Sequence, residues 1–126
     1  MLDGTEITNV IQLYFDGLYE GDTKKLAQAF HPTARLYSLD AGVVRELSRG
    51  DWLTAVAGRL APQASGLART DRIVFIDVTD DTAASAKVEC SIHPKYFVDH
   101  LTLLKTADRG WQIVAKAFRT QIKESA

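Results

Sequence analysis

The chain has 126 residues, 46% of them hydrophobic and 25% charged, with 15 Lys plus Arg against 16 Asp plus Glu. This is the composition of an ordinary globular domain that buries a core without staples. A formal charge of -1 supplies no bulk positive field for a nucleic-acid backbone. A single cysteine, Cys90, excludes an internal disulfide, and three scattered histidines give no zinc spacing, so neither a metal nor another cofactor is expected. No apolar run approaches membrane-spanning length, and the segment from Met1 to Glu6 lacks a secretory-signal pattern. These features predict one cytoplasmic domain over residues 1–126 with no membrane partner.

The first helix is signalled by Asp3 and Glu6 at capping-box spacing, with Leu2 and Ile7 as the hydrophobic staple. Ile7, Val10, Ile11, Tyr14, Phe15 and Leu18 then follow helical periodicity, and Gly21 suits a left-handed C-terminal residue. Asp22 caps a second, short helix carrying Leu26 and Phe30, which His31 and Pro32 end. Residues 34–47 read as a hairpin turning at Asp40, Ala41 and Gly42. A third helix starts at Ser48, with Asp51 three residues on and Leu47 and Trp52 as its staple. Trp52, Ala55, Val56, Arg59 and Leu60 form its expected inward stripe, and Pro62 stops it.

From Arg69 the pattern turns to period two, with strands near 70–79, 82–93, 95–106 and 111–122 separated by turn residues. Helices first and an antiparallel meander last define an α+β domain, its helices on one face of a curved sheet. A two-residue turn at Pro94 and Lys95 would set Cys90 beside Asp99 and Val88 beside Leu101 on an apolar inner face, with Glu89 paired to His100 outside. A three-residue turn ending in Gly110 would set Asp99 beside Arg119, whereas a two-residue turn would bring Lys116 there instead. Under the first register Tyr96, Val98, Leu104, Val114 and Phe118 emerge on the outer face, which points to a homodimer burying part of it.

A carboxyl on an apolar face is expensive unless it is paired or protonated, so Asp99 is the foremost candidate for a functional residue. Adjacent His100 points to the other side of the sheet. His31 and His93 precede or adjoin prolines at element ends, and Cys90 has no histidine on its face to activate it.

The capped helix ending in Gly21 and Asp22, the Phe30, His31, Pro32 run and the closing series Asp99, Leu101, Leu103, Gly110, Trp111, Ile113 together resemble the NTF2-like superfamily. This group includes the SnoaL and ketosteroid-isomerase-like proteins. Segments Tyr14 to Asp22, Ser48 to Trp52 and Asp99 to Phe118 are most similar to the small bacterial family named putative lumazine-binding. The resemblance implies a cone-shaped α+β barrel, N-terminal helices packed on a curved and mostly antiparallel sheet, a ligand cavity between them, and dimers. Ketosteroid isomerase pairs a helix tyrosine with an aspartic acid on a late strand as an oxyanion hole. Tyr14 and Asp99 resemble these two groups and are the tentative catalytic pair. The general base of that enzyme falls at Ser38, which cannot abstract a carbon-bound proton, and Asp40 would substitute only in a displaced hairpin.

Three functions follow. The first is a binding domain for a small apolar or planar molecule, lined by Tyr14, Trp52, Cys90, Phe97, Asp99 and Arg119. The second is an isomerase, dehydratase or cyclase that uses Asp99 or Asp40. The third is an interaction domain whose cavity is filled by Trp52, Phe97 and Trp111.

Overall fold

The computed structural model describes residues 4–92 and 94–122. Helix α1 spans Thr5–Glu20, with Gly4 as its N-cap and Glu6 in its first turn; the expected cap Asp3 and staple residue Leu2 lie outside the described residues. The periodic stripe becomes the buried face, where Ile7, Ile11 and Tyr14 are fully enclosed and Phe15 and Leu18 nearly so. Gly21 ends the helix at φ 68°. Asp22 caps α2 (Thr23–Ala29), accepting hydrogen bonds from the backbone N–H groups of Lys24 and Lys25. The chain then passes directly into β1 (Phe30–Asp40), so Pro32 lies inside a strand, at an irregularity between Phe30 and Arg35. Proline is tolerated there because an irregular stretch does not require every ladder hydrogen bond.

Strand β1 turns through Ala41 and Gly42, both at positive φ, into β2 (Val43–Ser48). Two left-handed residues in succession match the twist of a tight hairpin. Ser48 caps α3 (Arg49–Ala57) by accepting from the Asp51 backbone N–H. This helix stops at Gly58, four residues before Pro62. Of its expected inward stripe only Trp52 and Val56 are buried, and Ala55, Arg59 and Leu60 are exposed. The Arg49 guanidinium ties α3 to the end of α2 by donating to the carbonyls of Ala27 and Phe30.

The remaining strands are β3 (Thr70–Val78), β4 (Ala83–Ile92), β5 (Lys95–Thr106) and β6 (Gly110–Ile122). They complete a six-stranded sheet of order β2-β1-β6-β5-β4-β3. Only the β1/β6 pairing is parallel. The helices cover one face, giving the α+β cone fold.

Two registers differ from expectation. Cys90 pairs with Phe97 and Val88 with Asp99, a slip of two residues, because Lys95 already pairs with Ile92 instead of forming the turn with Pro94. A slip of two preserves faces, so Asp99 stays inside, but Glu89 opposes Val98 and not His100. Glu89 instead bonds to Arg72 and Tyr96. On β6 the register shifts between Thr102 and Leu103, so Asp99 opposes Phe118 and Leu101 opposes Lys116. That odd displacement reverses the faces: Lys116 and Phe118 turn inward, and Arg119 and Ala117 turn outward.

Candidate functional site

Three buried side chains from three elements meet beneath the helices. Tyr14 comes from the apolar stripe of α1, Asp99 from the inner face of β5, and Lys116 from β6 just beyond its irregularity. Tyr14 and Asp99 are 0% exposed and Lys116 5%. The Lys116 ammonium donates to the Tyr14 hydroxyl at 2.7 Å, and that hydroxyl donates to Asp99 Oδ2 at 2.6 Å. Lys116 Nζ lies 4.0 Å from the same carboxylate oxygen. The chain therefore runs from cation to carboxylate with the phenol as its relay, and charge-assisted bonds of this kind are the strong ones. Burial, and then the negative charge of Asp99, hold the Tyr14 hydroxyl well above its ordinary pKa, against a smaller opposing pull from Arg59. Tyr14 is thus a neutral phenol at any physiological pH.

Aromatic rings surround the ammonium. Lys116 Nζ stands 5.0 Å from the centre of the Tyr14 ring, 5.1 Å from Trp52 and 4.7 Å from Phe118, each within cation–π range. The rings brace one another, with Phe30 between Tyr14 and Trp52 at 5.4 and 4.8 Å and Phe97 against Phe118 at 6.5 Å. Among the described residues Lys116 makes no second hydrogen bond, and Asp99 Oδ1 is buried without a partner.

A cavity of about 220 Å³ opens above this group, walled by Tyr14, Leu18, Trp52, Cys90, Phe97, Lys116 and Phe118, with Leu47, Ala55 and Arg59 toward solvent. Tyr14, Trp52, Cys90 and Phe97 thus stand together as anticipated. Asp99 is beside the cavity rather than on its wall, held behind Tyr14 and Lys116. Arg119 is not at the site, because the β6 irregularity turns it to the exposed outer face. Lys116 stands beside Asp99, as the alternative two-residue turn would have it, and Phe118, expected on the outer face, turns inward. Trp111 faces Lys105 at the far end of β6 and does not fill the cavity.

The other sequence candidates fall away from this group. Asp40 sits at the hairpin tip with its side chain 63% exposed and paired to Arg45 at 2.8 Å, so it offers the cavity no base. Burial, aided by Asp99, pushes the Cys90 thiol up to about 12, which makes it a neutral wall residue. His31 is engaged by its ring nitrogen with Thr33 at the start of β1, and His93 lies outside the described residues. No helix among the described residues is long and apolar enough to cross a membrane.

Solved structures share this architecture over nearly the whole chain. An NTF2-like protein of unknown function from Shewanella baltica OS155 is 21% identical and has a TM-score of 0.80, with 96% of this chain and 98% of that one covered. Another, from Methylobacillus flagellatus KT, is 24% identical with a TM-score of 0.79 and 95% of each chain covered. A ketosteroid isomerase-like protein from Erwinia carotovora atroseptica SCRI1043 is 10% identical with a TM-score of 0.68, covering 90% of this chain and 92% of that one. At these identities the likeness concerns the fold, and the fold is NTF2-like. The family model described as "Putative lumazine-binding" matches residues 3–119, and the chain belongs to that family. No curated protein matches it.

Proposed function

We propose that the chain is a binding domain for a small planar molecule, held in the cavity over the Lys116, Tyr14 and Asp99 chain without being chemically altered. The observation that carries this reading is the direction of that chain. An oxyanion hole of the ketosteroid-isomerase type needs the tyrosine hydroxyl free to donate to substrate. Here that proton is given to Asp99, and among the described residues the cavity wall contains no carboxylate to act as a base. What remains is mostly apolar and aromatic wall with a few polar groups, the Lys116 ammonium at its inner end and Arg59 toward solvent, which is the usual make-up of a binding pocket. The family description and the shared fold support the same reading. The ketosteroid-isomerase-like neighbour supports an isomerase only at the level of fold, and the solvent position of Asp40 weakens that alternative.

The outer face of the sheet carries exposed or half-buried Phe75, Tyr96, Val98, Leu104 and Val114, and a homodimer covering this face accounts for them. Phe118, expected on it, lies inside.

The test is a thermal-shift and native mass-spectrometry screen with flavin precursors, aromatic acids and sterols. At least one planar class should raise the melting temperature of the native chain and lose that effect in Lys116→Met. Absence of stabilisation by every class would contradict the proposal.

A further inference from the structure

The cavity and its mouth differ in charge. At the buried end Lys116 is balanced by Asp99 at 4.0 Å, so the local net charge is near zero. Only one of the three N–H donors of that ammonium meets an oxygen within the described residues. The inner end therefore suits a neutral acceptor such as a phenol or carbonyl oxygen, and a full negative charge there would face Asp99 as well.

Outward, the cavity shares Arg59, Ile92 and Phe97 with a second hollow of about 150 Å³ lined also by Leu60, Pro62, Pro94 and Lys95. Among the described residues this mouth contains two cations, Arg59 and Lys95, and no carboxylate. Six of the eight arginines in the chain, Arg35, Arg45, Arg49, Arg69, Arg72 and Arg109, are engaged with carboxylates or carbonyls. Arg59 and Lys95 make no ion pair or side-chain hydrogen bond among the described residues. Unpaired cations at the mouth of an apolar cavity create a local positive potential on a chain whose net charge is -1.

Size narrows the occupant further. A cavity of about 220 Å³ exceeds the roughly 150 Å³ that accepts a single benzene ring. It falls short of the roughly 300 Å³ at which pockets for drug-sized molecules begin. One or two fused rings fill the inner cavity, and the hollow at its mouth takes the group they carry.

We infer that the occupant is a one- or two-ring aromatic anion, with a neutral oxygen on the Lys116 ammonium, its rings among Trp52, Phe97 and Phe118, and its charged group at the mouth beside Arg59 and Lys95. This rests on the binding function proposed above and adds the charge and orientation of the ligand. Arg59 is the specificity-determining residue in this arrangement, and Lys116 the inner anchor.

The experiment compares two probes of one shape, 6-hydroxy-2-naphthoate and 6-hydroxy-2-naphthamide, by isothermal titration calorimetry against the native chain and Arg59→Gln. A charge-assisted contact predicts that the carboxylate binds roughly tenfold or more tightly than the amide. Arg59→Gln should remove most of that preference by weakening the carboxylate far more than the amide, and raising the salt concentration should weaken the carboxylate more than the amide. If both probes bind the native chain equally, or if Arg59→Gln weakens them equally, the anion inference is overturned and the pocket reading stands. If neither probe binds, both are overturned.

Discussion

Asp99→Asn removes the charge opposite a buried ammonium while keeping the size of the side chain. In the native chain Lys116 Nζ is 4.0 Å from Asp99 Oδ2, and both residues are nearly sealed from water, at 5% and 0% exposure. Two unit charges at that distance interact by about 4 kcal/mol at an effective dielectric constant of about 20. Removing one member of a buried pair costs about 3–5 kcal/mol, because the remaining charge stays where water does not reach it. The Tyr14 hydroxyl still finds the amide oxygen of asparagine, so loss of that bond adds little. Urea unfolding followed by tryptophan fluorescence is expected to show a loss of about 3 kcal/mol or more with an unchanged slope. Lys116→Met removes the cation and refills the volume with an apolar chain. The double variant should therefore be more stable than the sum of the single losses predicts, by about 2 kcal/mol. A cost below about 1 kcal/mol for Asp99→Asn, or simple additivity in the double variant, would refute the pairing of Lys116 with Asp99 through Tyr14.

Further outcomes follow from other parts of the structure. The Cys90 thiol, ordinarily near 9.0 but held at about 12 in the folded chain by burial and then by Asp99, ionises more easily once unfolded. Its contribution to stability is complete below about pH 9 and is lost as pH rises toward 12; Cys90→Ala should flatten that alkaline decline in a pH series of urea titrations. Iodoacetamide at pH 8 should label folded Cys90 at least about a hundredfold more slowly than the urea-unfolded chain. Gly21→Ala puts a methyl group 2.8 Å from the Ala61 Cβ at φ +68°, and differential scanning calorimetry should register a loss of about 2 kcal/mol. Light scattering coupled to size exclusion should give twice 13.9 kDa for the native chain, and the 13.9 kDa monomer for Val98→Glu combined with Leu104→Glu; a native monomer would remove the dimer proposal.

Much of the fold was legible because local chemistry marked it. Ser48 and Asp22 act as the caps their spacing implied, and Gly21 and Gly110 adopt the left-handed conformations that glycine permits. The inward placement of Asp99 survived an error of two residues in the β4/β5 register, since strand side chains alternate with a period of two. The β5/β6 register did not allow the same latitude. One extra residue near Val114 exchanges the faces of β6, and a β-bulge carries no residue type that announces it. That single irregularity moves Arg119 away from the expected site, leaves Lys116, the alternative cation, beside Asp99, and brings Phe118 inward. The electrostatic requirement was legible all the same: a carboxyl buried on an apolar face needs a cation, and Lys116, flanked by Ala115 and Ala117, is one of the two that the turn at Gly110 brings within reach. The α3 stripe is shorter than the spacing to Pro62 implies: the helix ends at Gly58, which leaves Arg59 to line the cavity mouth.

The binding cavity is tested most directly by locating a ligand on the protein in solution. In a titration of the 15N-labelled chain with 6-hydroxy-2-naphthoate, followed by two-dimensional amide and indole NMR, the account predicts saturable shifts at the Trp52 indole and at the amides of Cys90, Phe97, Lys116 and Phe118, with Phe75, Val98 and Leu104 unmoved. Shifts confined to the outer-face residues, or none at saturating concentration, would contradict it.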